Sequence, residues 1–191
     1  PRSEVLTIEE LLRTARLFAE LGVRKIRVTG GEPLIRRGVH ELFEGLGALA
    51  GLDSLALTTN GSQLADSGHA LRDAGVNSIN ISLDSLQAER FKAITRIGDL
   101  NCVLRGIDRA VECGFDRIRL NAVILDGLNR DEVVPLTHYA LEKGIHIAFI
   151  EEMPLGQVNV GGKPLSYVSS DTLQEELAGH FTLVPMTASD T

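Results

Sequence analysis

The sequence predicts an α/β chain: a parallel sheet curved toward a barrel or open barrel, with helices on its outside. Three observations predict it. Segments of strand character alternate with segments of helical periodicity along most of the chain. The strands are apolar on one side only, whereas a parallel sheet covered on both faces reads as continuous apolar runs. Polar and glycine-rich motifs fall just after successive strands, at the carboxyl ends where barrel enzymes carry their sites.

The elements follow in order. Thr7-Ile-Glu-Glu10 is a capping box, and Ile8, Leu11, Leu12, Ala15, Phe18 and Ala19 keep helical spacing until Gly22, which gives an amphipathic first helix. A strand is predicted over Arg24 to Thr29, a helix over Gly38 to Ala50, a strand over Ser54 to Thr59 and a helix from Ser62 to Ala74. The alternation continues with a strand at Ser78 to Leu83, a short helix at Gln87 to Ile94, a longer one at Leu100 to Cys113 and a strand at Arg117 to Ile124. Within the next helix, Arg130 to Lys143, Pro135 marks a restart at a first helical turn, and the fifth strand is His146 to Glu151. Leu155 to Ser166 reads as a long loop, followed by a helix near Ser170 to Ala178 and a short apolar run, Phe181 to Pro185. Strands joined by helices imply right-handed βαβ units. The 191 residues suit a single domain, with βα units over about 7–153 and a loop, a helix and the start of an extension over 154–191.

The strands carry the information about function. Lys25, Arg27 and Thr29 share one face and Ile26 and Val28 the other; Ser54, Thr58 and Asn60 oppose Leu55, Leu57 and Thr59. Ser78, Asn80, Ser82 and Asp84 oppose Ile79, Ile81 and Leu83, and Arg117, Arg119 and Asn121 oppose Ile118, Leu120 and Ala122. One reading is a sheet with one face in water. The other is a barrel whose polar side chains point into a lumen, and then Lys25, Arg27, Arg117 and Arg119 call for an anionic occupant, since ammonium and guanidinium groups pair with phosphates.

Composition excludes several classes. The net charge of −7 argues against broad nucleic-acid binding, which needs a clustered basic surface. No segment approaches the ~18 uninterrupted apolar residues of a membrane helix and no start resembles a signal peptide, so a soluble cytoplasmic protein without a membrane partner is expected. Cys102 and Cys113, eleven apart on one predicted helix, lie about 16 Å apart at ~1.5 Å per residue, too far for a disulfide and wrong for a metal site; both are expected to be buried small apolar residues. The chain has no initiator Met and opens mid-element, as a portion of a longer protein would.

Thr29-Gly-Gly-Glu-Pro-Leu34, Thr58-Thr-Asn-Gly61 and Ile81-Ser-Leu-Asp-Ser-Leu86, each after a strand, resemble radical S-adenosylmethionine enzymes. Phe91-Lys-Ala-Ile-Thr95, Arg119-Leu-Asn-Ala-Val123, Asn129-Arg-Asp-Glu132 and Phe149-Ile-Glu-Glu-Met-Pro-Leu-Gly156 resemble one family in that class, the molybdenum cofactor biosynthesis protein A or GTP 3',8-cyclase family, from about Thr7 to about Leu177. The resemblance implies an α/β partial (open) TIM-type (β/α)6 barrel of the radical SAM type, its first strand missing from this chain. It implies a lyase in which a 4Fe-4S cluster reductively cleaves S-adenosylmethionine. The resulting radical takes the ribose 3' hydrogen of GTP, and ring closure onto C8 gives (8S)-3',8-cyclo-7,8-dihydroguanosine 5'-triphosphate.

By the same resemblance, Gly30, Gly31, Glu32, Ser82 and Met153 bind S-adenosylmethionine, with the Glu32 carboxylate placed to meet its ammonium. Lys25, Arg27, Thr58 and Arg119 bind GTP, and no residue of the chain is assigned a catalytic or metal-ligating role. Arg119 and Ala148 depart from the family, which commonly has lysine and often arginine there. The implied partners are GTP, a reductant and the protein that converts the cyclised product, and a homodimer is compatible with the sequence. Both 4Fe-4S clusters of the family use cysteines outside these residues, so this chain alone is expected to be inactive. The solvated pair Arg36 and Arg37 is left out of the site. Three rivals stay open: another radical S-adenosylmethionine enzyme such as a peptide-modifying one, a cluster-free phosphate-binding barrel aldolase or isomerase using Lys25 or Glu151 as acid or base, and a binding module or inactive remnant.

Overall fold

The structure, a computed structural model, describes residues 5–152, 159–160, 163–164 and 166–185. Helix α1 (Ile8–Glu20) starts at the predicted capping box: the Thr7 hydroxyl accepts from the Glu10 N–H at 3.2 Å, and the Glu10 carboxylate accepts from the Thr7 N–H at 2.8 Å. Then come β1 (Lys25–Val28), α2 (Val39–Gly47), β2 (Ser54–Thr59), α3 (Leu64–Asp73) and β3 (Ser78–Ser82). After them follow α4 (Ala88–Thr95), α5 (Leu100–Glu112), β4 (Arg117–Asp126), α6 (Val133–Glu142) and β5 (His146–Glu151). The five strands pair in parallel in sequence order, β1 to β5, which is an open α/β sheet. Pro135 stands in the first turn of α6, just after a 3-10 turn at Arg130–Glu132, as its fixed φ and missing N–H favour.

The alternation read from the sequence decides which face is covered. Leu55, Leu57, Ile79, Ile81, Leu120 and Ile124 are buried, in one core with Leu64, Leu71, Val103, Ile107 and Leu136 from the helices. Burying such side chains contributes about 1.5–3 kcal/mol each. The layer is tight where α5 meets the end of β2: a Cβ added at Gly106 would stand 2.3 Å from the Gly61 carbonyl oxygen. Among the described residues no helix is long and apolar enough to cross a membrane.

Three local differences stand against the sequence. Helix α1 is amphipathic but has no fully buried residue; Ile8, Leu11, Leu12 and Ala15 only lean on the core. The predicted loop from Leu155 to Ser166 contains β6 (Asn159–Val160) paired antiparallel with β7 (Lys163–Pro164), and β8 (Ser166–Tyr167) pairs with the end of β4, ahead of helix α7 (Ser170–Ala178). Finally, Cys102 and Cys113 are half-buried rather than buried. Helix α5 turns Leu100, Val103, Ile107 and Ala110 inward. Cys102 lies off that stripe beside Asp99 and Arg105, and Cys113 caps the helix with its sulfur 3.5 Å from His69 Nδ1.

Candidate functional site

Parallel register turns the polar residues of separate strands into rows across the face opposite the core. Arg27, Ala56, Ser78 and Arg117 form one row; Thr58, Asn80, Arg119 and His146 form the next toward the carboxyl ends; Ser82, Asn121 and Ala148 form a third. Lys25, opposite Ser54, lies below them all. Successive rows are two residues apart along each strand, about 6.6 Å at ~3.3 Å per residue.

A cavity of about 210 Å³ opens on this face, lined by Lys25, Arg27, Ser78, Asn80, Arg117 and Arg119. Among the described residues, Arg72, Arg90, Arg109, Arg130 and Lys143 each pair with a carboxylate, while none of the four cations of the cavity does. Among the described residues Arg27 donates to the Thr58 hydroxyl, at 3.4 Å, and to no carboxylate. Four unneutralised cations gathered in an acidic protein repel one another and attract a polyanion. The cleft of about 480 Å³ between α1, β1 and α2 is larger but mostly apolar, with Leu11, Phe18, Ile26, Val28 and Leu42 among its walls.

At the carboxyl end of β1 the chain turns through Gly30 and Gly31. Gly30 has φ +150°, which a side chain disfavours, and a Cβ on either glycine would meet nothing within 4 Å, so bare backbone faces open space. Glu32 is turned into the scaffold. Its carboxylate accepts from the Leu34 N–H at 3.0 Å, the Thr59 hydroxyl at 2.8 Å and the Asn60 N–H at 2.6 Å. It therefore caps the 3-10 turn at Pro33–Ile35 and ties that turn to the end of β2.

The next strand ends are braced by a buried polar network. Where β3 leaves the sheet, Asp84 accepts from the Val123 N–H at 2.8 Å, and burial pushes its carboxyl above the usual range against that hydrogen bond. The Asn129 amide donates to the carbonyls of Asp84 and Val123 at 2.8 and 2.9 Å, and its oxygen accepts from the Leu125 N–H. Glu132, only 2% exposed, accepts from the Ser85 hydroxyl, the Leu86 N–H and Arg90, each at 2.6 Å. At the end of β5, Glu151 accepts from the Ser170 N–H, in the first turn of α7, and from the Tyr167 hydroxyl at 2.8 Å; these bonds hold its carboxyl below the ordinary range. A carboxylate kept ionised in this way is a poor proton donor, which weakens the aldolase reading through Glu151.

The structure brings Lys25, Arg27 and Arg119 to one cavity and sets Thr58 beside Arg27. Gly30, Gly31 and Glu32 stand at the carboxyl end of β1, and Ser82 is exposed at the end of β3. Met153 lies outside the described residues. Arg117, Ser78 and Asn80 join the cavity without having been assigned to the site; the alternation was their signal. Thr59 and Asn60 as partners of Glu32, and Glu132 as a buried acid, had no signal of that kind. Among the described residues no group of three His, Cys, Asp or Glu could hold a metal ion.

Comparison with known proteins agrees with this geometry. Among solved structures, Streptococcus suis SuiB superposes with a TM-score of 0.68 at 17% identity, over 93% of this chain and 41% of that one. The Escherichia coli radical SAM enzyme coproporphyrinogen III oxidase, HemN, gives 0.60 at 18%, over 90% and 43%. These likenesses concern the fold. In sequence, the GTP 3',8-cyclase of Saccharophagus degradans is 51% identical over 183 residues, 96% of this chain and 55% of that protein. The enzyme of the same name from Pseudomonas entomophila is 53% identical over 184 residues, again 96% and 55%. The chain thus spans about half the length of the curated relatives it matches. The Radical SAM superfamily model matches residues 1–140, the stretch that holds the glycine turn, the first four strands and all four cavity cations, and by that match the chain belongs to the radical SAM superfamily.

Proposed function

We propose that this chain forms the cofactor- and substrate-binding core of a cytoplasmic GTP 3',8-cyclase of molybdenum cofactor biosynthesis. The observation that carries the reading is the cavity of Lys25, Arg27, Arg117 and Arg119, four cations with no carboxylate partner among the described residues, in a chain about half identical to enzymes of that name. A triphosphate supplies the missing negative charge. Lys25, Arg27, Thr58 and Arg119 hold it, so that the nucleoside lies toward the carboxyl ends of the strands. These residues belong to one core whose βα units run over about 7–153.

The residues present fit S-adenosylmethionine at the mouth. Gly30 and Gly31 offer backbone with open space beside it, and Ser82 presents a hydroxyl at the end of β3. When bound, this cofactor supplies the group that removes a hydrogen atom from the substrate. The chain's own part is to orient: Glu32 fixes the glycine turn, and the Asp84–Asn129–Glu132 network fixes the strand ends beside Ser82. The residues present do not fit an iron–sulfur cluster. The chain has two cysteines, half-buried on the helical layer. A reductant and a protein that consumes the cyclised product are the partners this activity requires.

Binding by the full-length protein tests the reading. GTP is expected to bind, and Arg27→Ala is expected to weaken it by at least tenfold while S-adenosylmethionine binding holds. A protein that binds no GTP, or an Arg27→Ala variant with wild-type GTP affinity, would sink the proposal.

A further inference from the structure

We propose that Arg117 determines specificity for phosphate number, taking the terminal phosphate of the substrate so that a nucleoside triphosphate is separated from the diphosphate. This rests on the reading of the cavity as a triphosphate site and goes beyond it.

Arg117 shares a register row with Arg27 and Ser78, one row deeper than Arg119. All of them line the same cavity of about 210 Å³. At ~3.3 Å per residue, the Cα atoms of Arg117 and Arg119 are about 6.6 Å apart along one strand, so the two side chains line the cavity from different levels. With the cofactor turn at the carboxyl ends, the row of Arg117 and Arg27, with only Lys25 below it, meets a phosphate farther from the nucleoside than Arg119 does. Arg117 is also poorly explained as a structural residue. It is half-buried, yet no carboxylate pairs with it among the described residues. Its neighbour Asp116 is engaged by Arg72 at 2.9 Å. A half-desolvated guanidinium left without a counter-charge beside three other cations lowers stability unless an anion binds there. Its planar fork can grip a terminal phosphate through two parallel hydrogen bonds, which a bridging phosphate is less free to accept.

The test is binding of GTP, GDP and S-adenosylmethionine by the full-length wild-type protein and by Arg117→Ala and Arg117→Lys. Wild type is expected to prefer GTP over GDP. Arg117→Ala should weaken GTP about 10- to 100-fold and leave GDP and S-adenosylmethionine where they were, so that the preference collapses. Arg117→Lys keeps the charge and should lose a smaller part of it, which preserves the test if the alanine variant folds poorly. Equal losses for GTP and GDP, or an unchanged GTP to GDP ratio in both variants, would overturn the role of Arg117 while leaving the cavity's function intact. A wild-type protein indifferent to GTP overturns the parent reading instead.

Discussion

Replacing Glu32 by Gln separates two roles that one carboxylate at a cofactor-binding turn can play. The native side chain accepts three hydrogen bonds, from the Leu34 N–H, the Thr59 hydroxyl and the Asn60 N–H, and all three partners arrive as donors. A glutamine has one acceptor oxygen. If it keeps Leu34 and Thr59, its amide N–H2 confronts the Asn60 N–H; if it keeps Asn60, it confronts the Leu34 N–H, while the Thr59 hydroxyl can turn to accept. At least one charge-assisted bond is lost, at about 1.5–3 kcal/mol, and Asn60 is open enough to water to recover part of that. The net cost is about 2 kcal/mol. For a unit of this size it lowers the melting temperature by about 4–8 °C. Thermal unfolding of the full-length protein, with S-adenosylmethionine binding measured in parallel, reads the outcome. A brace predicts the loss of stability together with a modest loss of affinity through a displaced turn. Unchanged melting with a tenfold or greater loss of S-adenosylmethionine affinity would refute the brace and place the carboxylate on the ligand.

Two further perturbations probe the network behind the strand ends. Glu132→Ala leaves the buried Ser85 hydroxyl and the Leu86 N–H without their acceptor, while Arg90 keeps its pair with Asp131 at 2.8 and 3.1 Å, and is expected to cost about 2–4 kcal/mol in urea unfolding, the range for unsatisfied buried donors. Asp84 has a raised pKa because burial disfavours its charged form, so its contribution to stability falls as pH rises from its unfolded value through its folded one. Asp84→Asn keeps an oxygen for the Val123 N–H and removes the charge; unfolding midpoints should show the variant gaining on wild type as pH rises from about 3 to 7, with little difference at the acid end, where Asp84 is protonated in both states.

What could be read beforehand follows from what is local. The alternation in Arg117 to Asn121 fixed both the buried face and the polar one, because side chains of a strand alternate and only one face is covered by helices. Register then did what a single sequence does not announce, bringing Arg117 level with Arg27 from ninety residues away. The glycine turn is visible from two adjacent glycines just after a strand, but the destination of the Glu32 carboxylate is not, since Thr59 and Asn60 lie 27 and 28 residues downstream. Glu132 reads in sequence as an acid at the start of a helix, a solvated position by habit, and its burial depends on Ser85 and Arg90 arriving from another unit. The cysteines failed for a simpler reason. Residue type predicted burial, whereas the phase of α5 decided it.

Strand β4 is ten residues long and carries Arg117, Arg119 and Asn121 in successive rows, from the cavity to the level of Ser82. The separation between these levels is therefore set by covalent backbone geometry, which stretches hardly at all, rather than by rotamers or loops that can drift. A ligand anchored at one level is measured against the other as by a fixed gauge. Altered reach along this face would have to come in whole steps of two residues, because a shift of one residue turns Arg117 and Arg119 into the core and brings Ile118 and Leu120 out.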